Sequence, residues 1–173
     1  NQSLTLSDNN AGYTHASDYV TLTVDASGLT TGVATIDATA EADSKVVILG
    51  GGAADVITAT ASVNFGDSIN AGAGNDTIHL SADGVLTNID TIDGGAGTDT
   101  LSIVANSTIA DAAFTNVSNI ETITGGSNIE FTSLTLGSQA NSSGIATVTM
   151  AGNAASKLVV DSGFTQSLTV NTT

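Results

Sequence analysis

Short alternating runs of apolar and polar residues recur along the chain. They include Val20-Thr21-Leu22-Thr23-Val24, Ala34-Thr35-Ile36-Asp37, Ala146-Thr147-Val148-Thr149-Met150, Lys157-Leu158-Val159-Val160 and Ser167-Leu168-Thr169-Val170. Strict alternation over about five residues predicts a half-buried strand, with one face on a core and one on solvent. Thr beside Val and Ile favours the pleated chain, and the absence of proline leaves hydrogen-bond ladders uninterrupted. Aromatic residues make up only 3% of the chain and Trp is absent, so Ala, Val, Ile and Leu must supply the burial. Such a core is thin and layered. The prediction is an all-β protein.

Between the alternating runs, three glycine-rich segments align. They are Val47-Ile48-Leu49-Gly50-Gly51-Gly52-Ala53-Ala54-Asp55-Val56-Ile57, Ser68-Ile69-Asn70-Ala71-Gly72-Ala73-Gly74-Asn75-Asp76-Thr77-Ile78 and Thr91-Ile92-Asp93-Gly94-Gly95-Ala96-Gly97-Thr98-Asp99-Thr100-Leu101. Each unit reads strand, glycine turn, Asp, strand. A second phrase, Asn88-Ile89-Asp90-Thr91-Ile92, returns as Asn119-Ile120-Glu121-Thr122-Ile123 and leads into a worn turn at Gly125-Gly126-Ser127-Asn128-Ile129-Glu130. A period of about 22 residues with one glycine turn per unit predicts a parallel β-solenoid, of β-roll or β-helix type, whose coils stack about 4.8 Å apart. One unit cannot bury its thin apolar face alone, but its neighbours can cover it. The whole of 1–173 reads as a single segment of a longer protein, with its best repeats across 46–130. The longer stretch after Asp99 contains Ile109-Ala110-Asp111-Ala112-Ala113-Phe114, which predicts a short helix on the outside of the coil.

Charge narrows the function. Seventeen acids against two lysines, Lys45 and Lys157, and no arginine give a net charge of −15. Nothing basic is available to displace counterions from nucleic acid or to meet an anionic membrane, so both partners are excluded. No apolar run approaches the length of a membrane-spanning helix. With no cysteine there is neither a disulfide nor a thiolate metal site. Fourteen of the acids are Asp and three are Glu, and short carboxylates in glycine turns suit Ca²⁺.

At Gly94 the chain satisfies the pattern G-G-x-G-x-D-x-U-x through Gly94, Gly95, Gly97, Asp99 and Leu101, U being a large aliphatic residue. Asp76 sits in the same frame with Gly72, Gly74 and Ile78, with Ala71 in place of the first glycine. Asp55 sits in it with Gly50, Gly51 and Ile57, but Ala53 replaces the third glycine, a position expected to need φ > 0. These residues resemble the RTX nonapeptide repeat, the calcium-binding β-roll of bacterial type I-secreted proteins. The resemblance implies Ca²⁺ held by the turns at Gly50, Gly52 and Asp55, at Gly72, Gly74 and Asp76, and at Gly95, Gly97 and Asp99. Each turn would supply part of the coordination shell and its stacked neighbour the rest. Asn70 and Asp93, directly before two of the turns, are either additional ligands or outward polar residues of a strand. Glu130 is a weaker candidate in the worn turn. Asp67 and Asp90 read as solvent-facing strand residues. The wider spacing than in tandem nonapeptides implies one liganding side per coil.

Isolated glycine turns within longer coils are similar to those of RTX-type surface-layer proteins and large adhesins. The resulting expectation is a secreted, bacterial cell-surface structural protein that binds calcium and associates with itself. The rivals are a calcium-rigidified adhesin stalk and a non-catalytic appendage of an exoenzyme. No enzyme is expected. Gly66-Asp67-Ser68-Ile69 and Asp76-Thr77-Ile78-His79 mimic the two blocks of GDSL-type hydrolases, yet they lie within one repeat instead of at opposite ends of an α/β domain. His15 and His79 lack the spacing of a zinc protease.

Overall fold

The computed structural model describes residues 1–6, 21–41, 44–59, 65–80, 86–103, 107–125, 131–150 and 156–172. Its strands assemble into three parallel sheets that wind as a β-solenoid, with about 23 residues per coil. Sheet A runs the whole length. In order, it contains β1 (Gln2–Thr5), β3 (Ala34–Asp37), β5 (Val56–Thr58), β7 (Thr77–Leu80), β9 (Thr100–Ile103), β12 (Thr122–Gly125), β14 (Thr147–Met150) and β16 (Thr169–Thr172). Sheet B lies on the other side of the glycine turns and contains β2 (Thr21–Asp25), β4 (Lys45–Leu49), β6 (Ser68–Asn70), β8 (Thr91–Asp93) and β11 (Val117–Ser118).

The alternation in the sequence becomes columns. On sheet A, Ile36, Ile57, Ile78, Leu101, Ile123 and Val148 stand in register, one per coil. On sheet B, Val24, Ile48, Ile69, Ile92 and Val117 do the same. Both columns are buried in one core. Burying one such side chain contributes roughly 1.5–3 kcal/mol, so stacking Ile, Leu and Val in columns holds the thin core together without large rings. The outward positions of sheet A are mostly hydroxylated, for example Thr77, Thr100, Thr122 and Thr147 in one row.

The C-terminal coils differ from the rest. A third sheet, β10 (Ser107–Ile109), β13 (Phe131–Leu136) and β15 (Leu158–Val160), adds a wall. The helix expected near Ile109–Phe114 is present as a 3-10 turn over Asp111–Phe114, but it is not on the outside. Ala113 and Phe114 are buried, so this turn closes the core. A short helix α1 (Ser138–Ser142) packs against it from the next coil. The Asp111 carboxylate accepts the N–H groups of Gly137 (2.8 Å), Gln139 (3.1 Å) and Ala140 (2.9 Å), tying the two coils at this corner. Among the described residues no helix is long and apolar enough to cross a membrane.

Candidate metal centre

The three glycine turns lie one above another at the corner that joins sheet B to sheet A. Their spacing is set by direct backbone contact. The Ala73 N–H donates to the Gly51 carbonyl (2.9 Å), the Ala96 N–H to the Gly72 carbonyl (2.9 Å) and the Gly74 N–H to the Ala96 carbonyl (2.8 Å). A Cβ built on Gly97 would lie 1.6 Å from the Gly74 carbonyl oxygen, and Gly97 and Gly74 have φ of +149° and +132°. Both the close approach and the dihedral exclude any other residue there. The second glycines, Gly72 and Gly95, also have positive φ.

Beneath the turns runs a ladder of carboxylates. The Ala34 N–H donates to Asp55 Oδ1 (2.7 Å), the Asp55 N–H to Asp76 Oδ1 (2.6 Å), the Asp76 N–H to Asp99 Oδ1 (2.8 Å) and the Asp99 N–H to Glu121 Oε2 (2.7 Å). Asp55, Asp76 and Asp99 are each only 1% exposed. One oxygen of each carboxylate is therefore structural, binding the coil before it. The second oxygens differ. Asp55 Oδ2 accepts the Gly51 N–H (2.6 Å), whereas Asp76 Oδ2 and Asp99 Oδ2 are buried with no hydrogen-bond partner.

Two buried carboxylate oxygens without donors are costly, and the electrostatics show it. Burial pushes the Asp76 carboxyl up from its ordinary 3.8 to about 6; the Asp55 N–H opposes this, and the charges of Asp99 and Asp55 add to the rise. Burial likewise raises Asp99 against the Asp76 N–H, with Glu121 and Asp93 adding repulsion. An oxygen in this state calls for a proton or a cation. The donor set suits Ca²⁺, with hard carboxylate oxygens on glycine turns and, at the third turn, the Asn119 carbonyl beside Asp99 Oδ2. Asp76 and Asp99 fit that ion, while Asp55 is already satisfied within its own turn. Among the described residues no three acidic or histidine side chains converge on one point, so main-chain carbonyls would have to supply most of the shell.

The other predicted site residues separate on the same geometry. Asn70 is exposed. Asp93 is partly buried, and its Oδ1 accepts the Gly95 N–H (3.1 Å) and the Asn119 Nδ2 group (2.7 Å), so it braces the third turn. Glu130 and its worn turn from Gly126 onward lie outside the described residues, as does His15. Asp67 and Asp90 are corrected. They are 7% and 6% exposed, not solvent-facing. They form a second ladder where the chain enters sheet B: the Val46 N–H donates to Asp67 Oδ1 (2.9 Å) and the Asp67 N–H to Asp90 Oδ1 (3.0 Å). Asp90 Oδ2 accepts the Thr87 N–H and hydroxyl (2.8 and 2.9 Å), which leaves that carboxylate fully bonded. Sequence reasoning also missed Glu121 as the fourth rung of the first ladder. The signal was its place in the Asn-Ile-Glu phrase that repeats Asn88-Ile89-Asp90. No protein-family model, no curated protein and no solved structure matches this chain.

Proposed function

We propose that this chain is a non-catalytic structural segment of a secreted bacterial surface-layer or matrix protein, whose coils are stapled by Ca²⁺. The observation that carries the reading is the pair of buried, unpartnered oxygens, Asp76 Oδ2 and Asp99 Oδ2, at stacked glycine turns. Asp76, Asp99 and the glycines of their turns hold the ion, which supplies the positive charge that the ladder lacks. Binding to the folded form alone then stabilises the fold, by about 2.7 kcal/mol per ion at free calcium one hundred times the dissociation constant. The same charge supports self-association: seventeen acids against two lysines repel neighbouring copies, and bound calcium reduces that repulsion.

Equilibrium dialysis followed by metal analysis should find calcium retained by the purified chain and removed by chelator. Light scattering and electron microscopy of the parent protein across a calcium titration should show ordered sheets or filaments that dissolve in chelator. A chain that retains no calcium overturns the metal reading. A parent that binds calcium yet stays monomeric at high concentration replaces self-assembly with an adhesin stalk or an exoenzyme appendage.

A further inference from the structure

The third glycine turn does not stack on a fourth. The coil that follows carries Ser118-Asn119-Ile120-Glu121 at this corner, with no glycine. We propose that the Asp99 turn is a cation site completed by that unlike coil, with the Asn119 main-chain carbonyl and the Glu121 carboxylate as ligands beside Asp99. This rests on the calcium reading and extends it to residues outside the repeat pattern.

Three observations support the assignment. Asp99 Oδ2 is buried, has no partner and points back over Gly94. A Cβ on Gly94 would stand 2.8 Å from that oxygen and 1.9 Å from the Asn119 carbonyl oxygen. Both oxygens therefore lie over Gly94, as the Ala71 carbonyl and Asp55 Oδ2 lie over Gly50, but there the carboxylate oxygen is taken by the Gly51 N–H and here it is open. One calcium ion, at about 2.3–2.6 Å from each ligand, spans such a pair.

Asn119, in turn, is the one non-glycine residue with positive φ among those described, at +53°. Asn tolerates that region better than most residues. Its Nδ2 group donates to Asp93 Oδ1, which also accepts the Gly95 N–H, so Asn119 is fixed to the turn it faces.

Finally, Glu121 takes the place of the ladder aspartate and accepts the Asp99 N–H. Asp93, Asp99 and Glu121 thus put three negative charges around one turn. Lys45 sits on β4 and Lys157 just before β15, away from this corner. The Asp76 turn has two such charges, Asp76 and Asp99, with Asn70 in place of Asp93, so the Asp99 turn should bind more tightly, and irregular carbonyl-rich coordination should favour Ca²⁺ over Mg²⁺.

The test is calorimetric titration of the 173-residue chain with calcium, paired with melting curves in chelator. Glu121→Gln keeps an oxygen for the Asp99 N–H but loses the charge. It should weaken the tightest site by about tenfold or more and leave the melting curve in chelator in place. Asn119→Gly, which accepts positive φ, should retain the tight site, whereas Asn119→Val should lose it. That pair decides the matter if Glu121→Gln does not fold. Wild-type binding that neither Glu121→Gln nor Asn119→Val weakens overturns this inference alone. A wild type that binds no calcium removes the underlying reading as well.

Discussion

The first and third glycine turns share a frame and a place in the solenoid, yet they leave their aspartates in opposite states. Asp55 has both oxygens bonded, one to the coil before it and one to its own Gly51 N–H, while Asp99 keeps a buried oxygen with no donor. Two sequence differences account for this. Ala53 stands where Gly97 has φ of +149°, a conformation closed to alanine, so the first turn takes another path. Leu49 stands in register with Asn70 and Asp93. Asp93 offers an acceptor to the Gly95 N–H, but Leu49 offers none to Gly51, whose N–H turns to Asp55 instead. A motif aspartate thus either has both oxygens bonded or keeps one open, and its neighbours decide which.

The largest expected effect comes from forcing the third turn toward the first. In Gly97→Ala the new Cβ would meet the Gly74 carbonyl in a forbidden dihedral, so stability should fall by about 3 kcal/mol or more, read by urea denaturation. A loss below about 1 kcal/mol would mean that the turn tolerates the first turn's path and the comparison has no force.

Next come the aspartates. Asp55→Ala, Asp76→Ala and Asp99→Ala each strand a buried N–H of the preceding coil, and each should cost about 1–3 kcal/mol in chelator. Only Asp76→Ala and Asp99→Ala should also lower calcium stoichiometry. Asp161→Ala, at an exposed residue that accepts the nearby Gly163 N–H, should stay within about 0.5 kcal/mol and keep full stoichiometry. Equal small effects for all four would reduce the ladder to ordinary turns.

The pH dependence sharpens the contrast without mutation. The folded Asp76 carboxyl, at about 6 against 3.8 ordinarily, holds a proton that the unfolded chain releases. In chelator its contribution to stability is therefore fully present below about pH 4 and is lost as the pH rises through about 6. Asp25 and Asp37, lowered by their bonds to Ser27 and Thr39, act the opposite way and only at lower pH. Melting temperature in chelator should fall between pH 4.5 and 7, in a window of about two units, and calcium should flatten that fall. A rise over the same window in chelator would contradict a buried, unpartnered oxygen on Asp76.

The smallest effect belongs to the reverse design. Leu49→Asp with Ala53→Gly gives the first turn the third turn's features. It should cost at most about 1–2 kcal/mol in chelator through added backbone freedom, while adding one bound calcium. Unchanged stoichiometry would show that these two positions do not control the state of Asp55.

Much of the fold was legible because its signals are periodic. Alternation marked the strands, and the glycine turns marked one corner of each coil. What escaped was aperiodic or ran against alternation. In Asn88-Ile89-Asp90 the apolar Ile89 faces outward, 50% exposed, and the acid Asp90 faces in, because a carboxylate that accepts main-chain N–H groups is at home in a buried corner. The third sheet and the inward Phe114 arise where the coil lengthens and the motif stops. Of the candidate site, Asp76 and Asp99 were readable from the motif. The satisfied state of Asp55 was not, since it depends on the direction of a single N–H.

If Ca²⁺ staples the coils, the Asp76 and Asp99 carboxylates take a cation and the fold gains stability when they have one. Thermal melting at neutral pH, followed by circular dichroism in chelator and in millimolar calcium, tests it most directly. The melting temperature should rise in calcium and shift much less with magnesium, and most of the calcium shift should be lost in the Asp76→Asn/Asp99→Asn double variant, with Asp55→Asn retaining it. Superimposable wild-type melting curves in chelator and in calcium would contradict it.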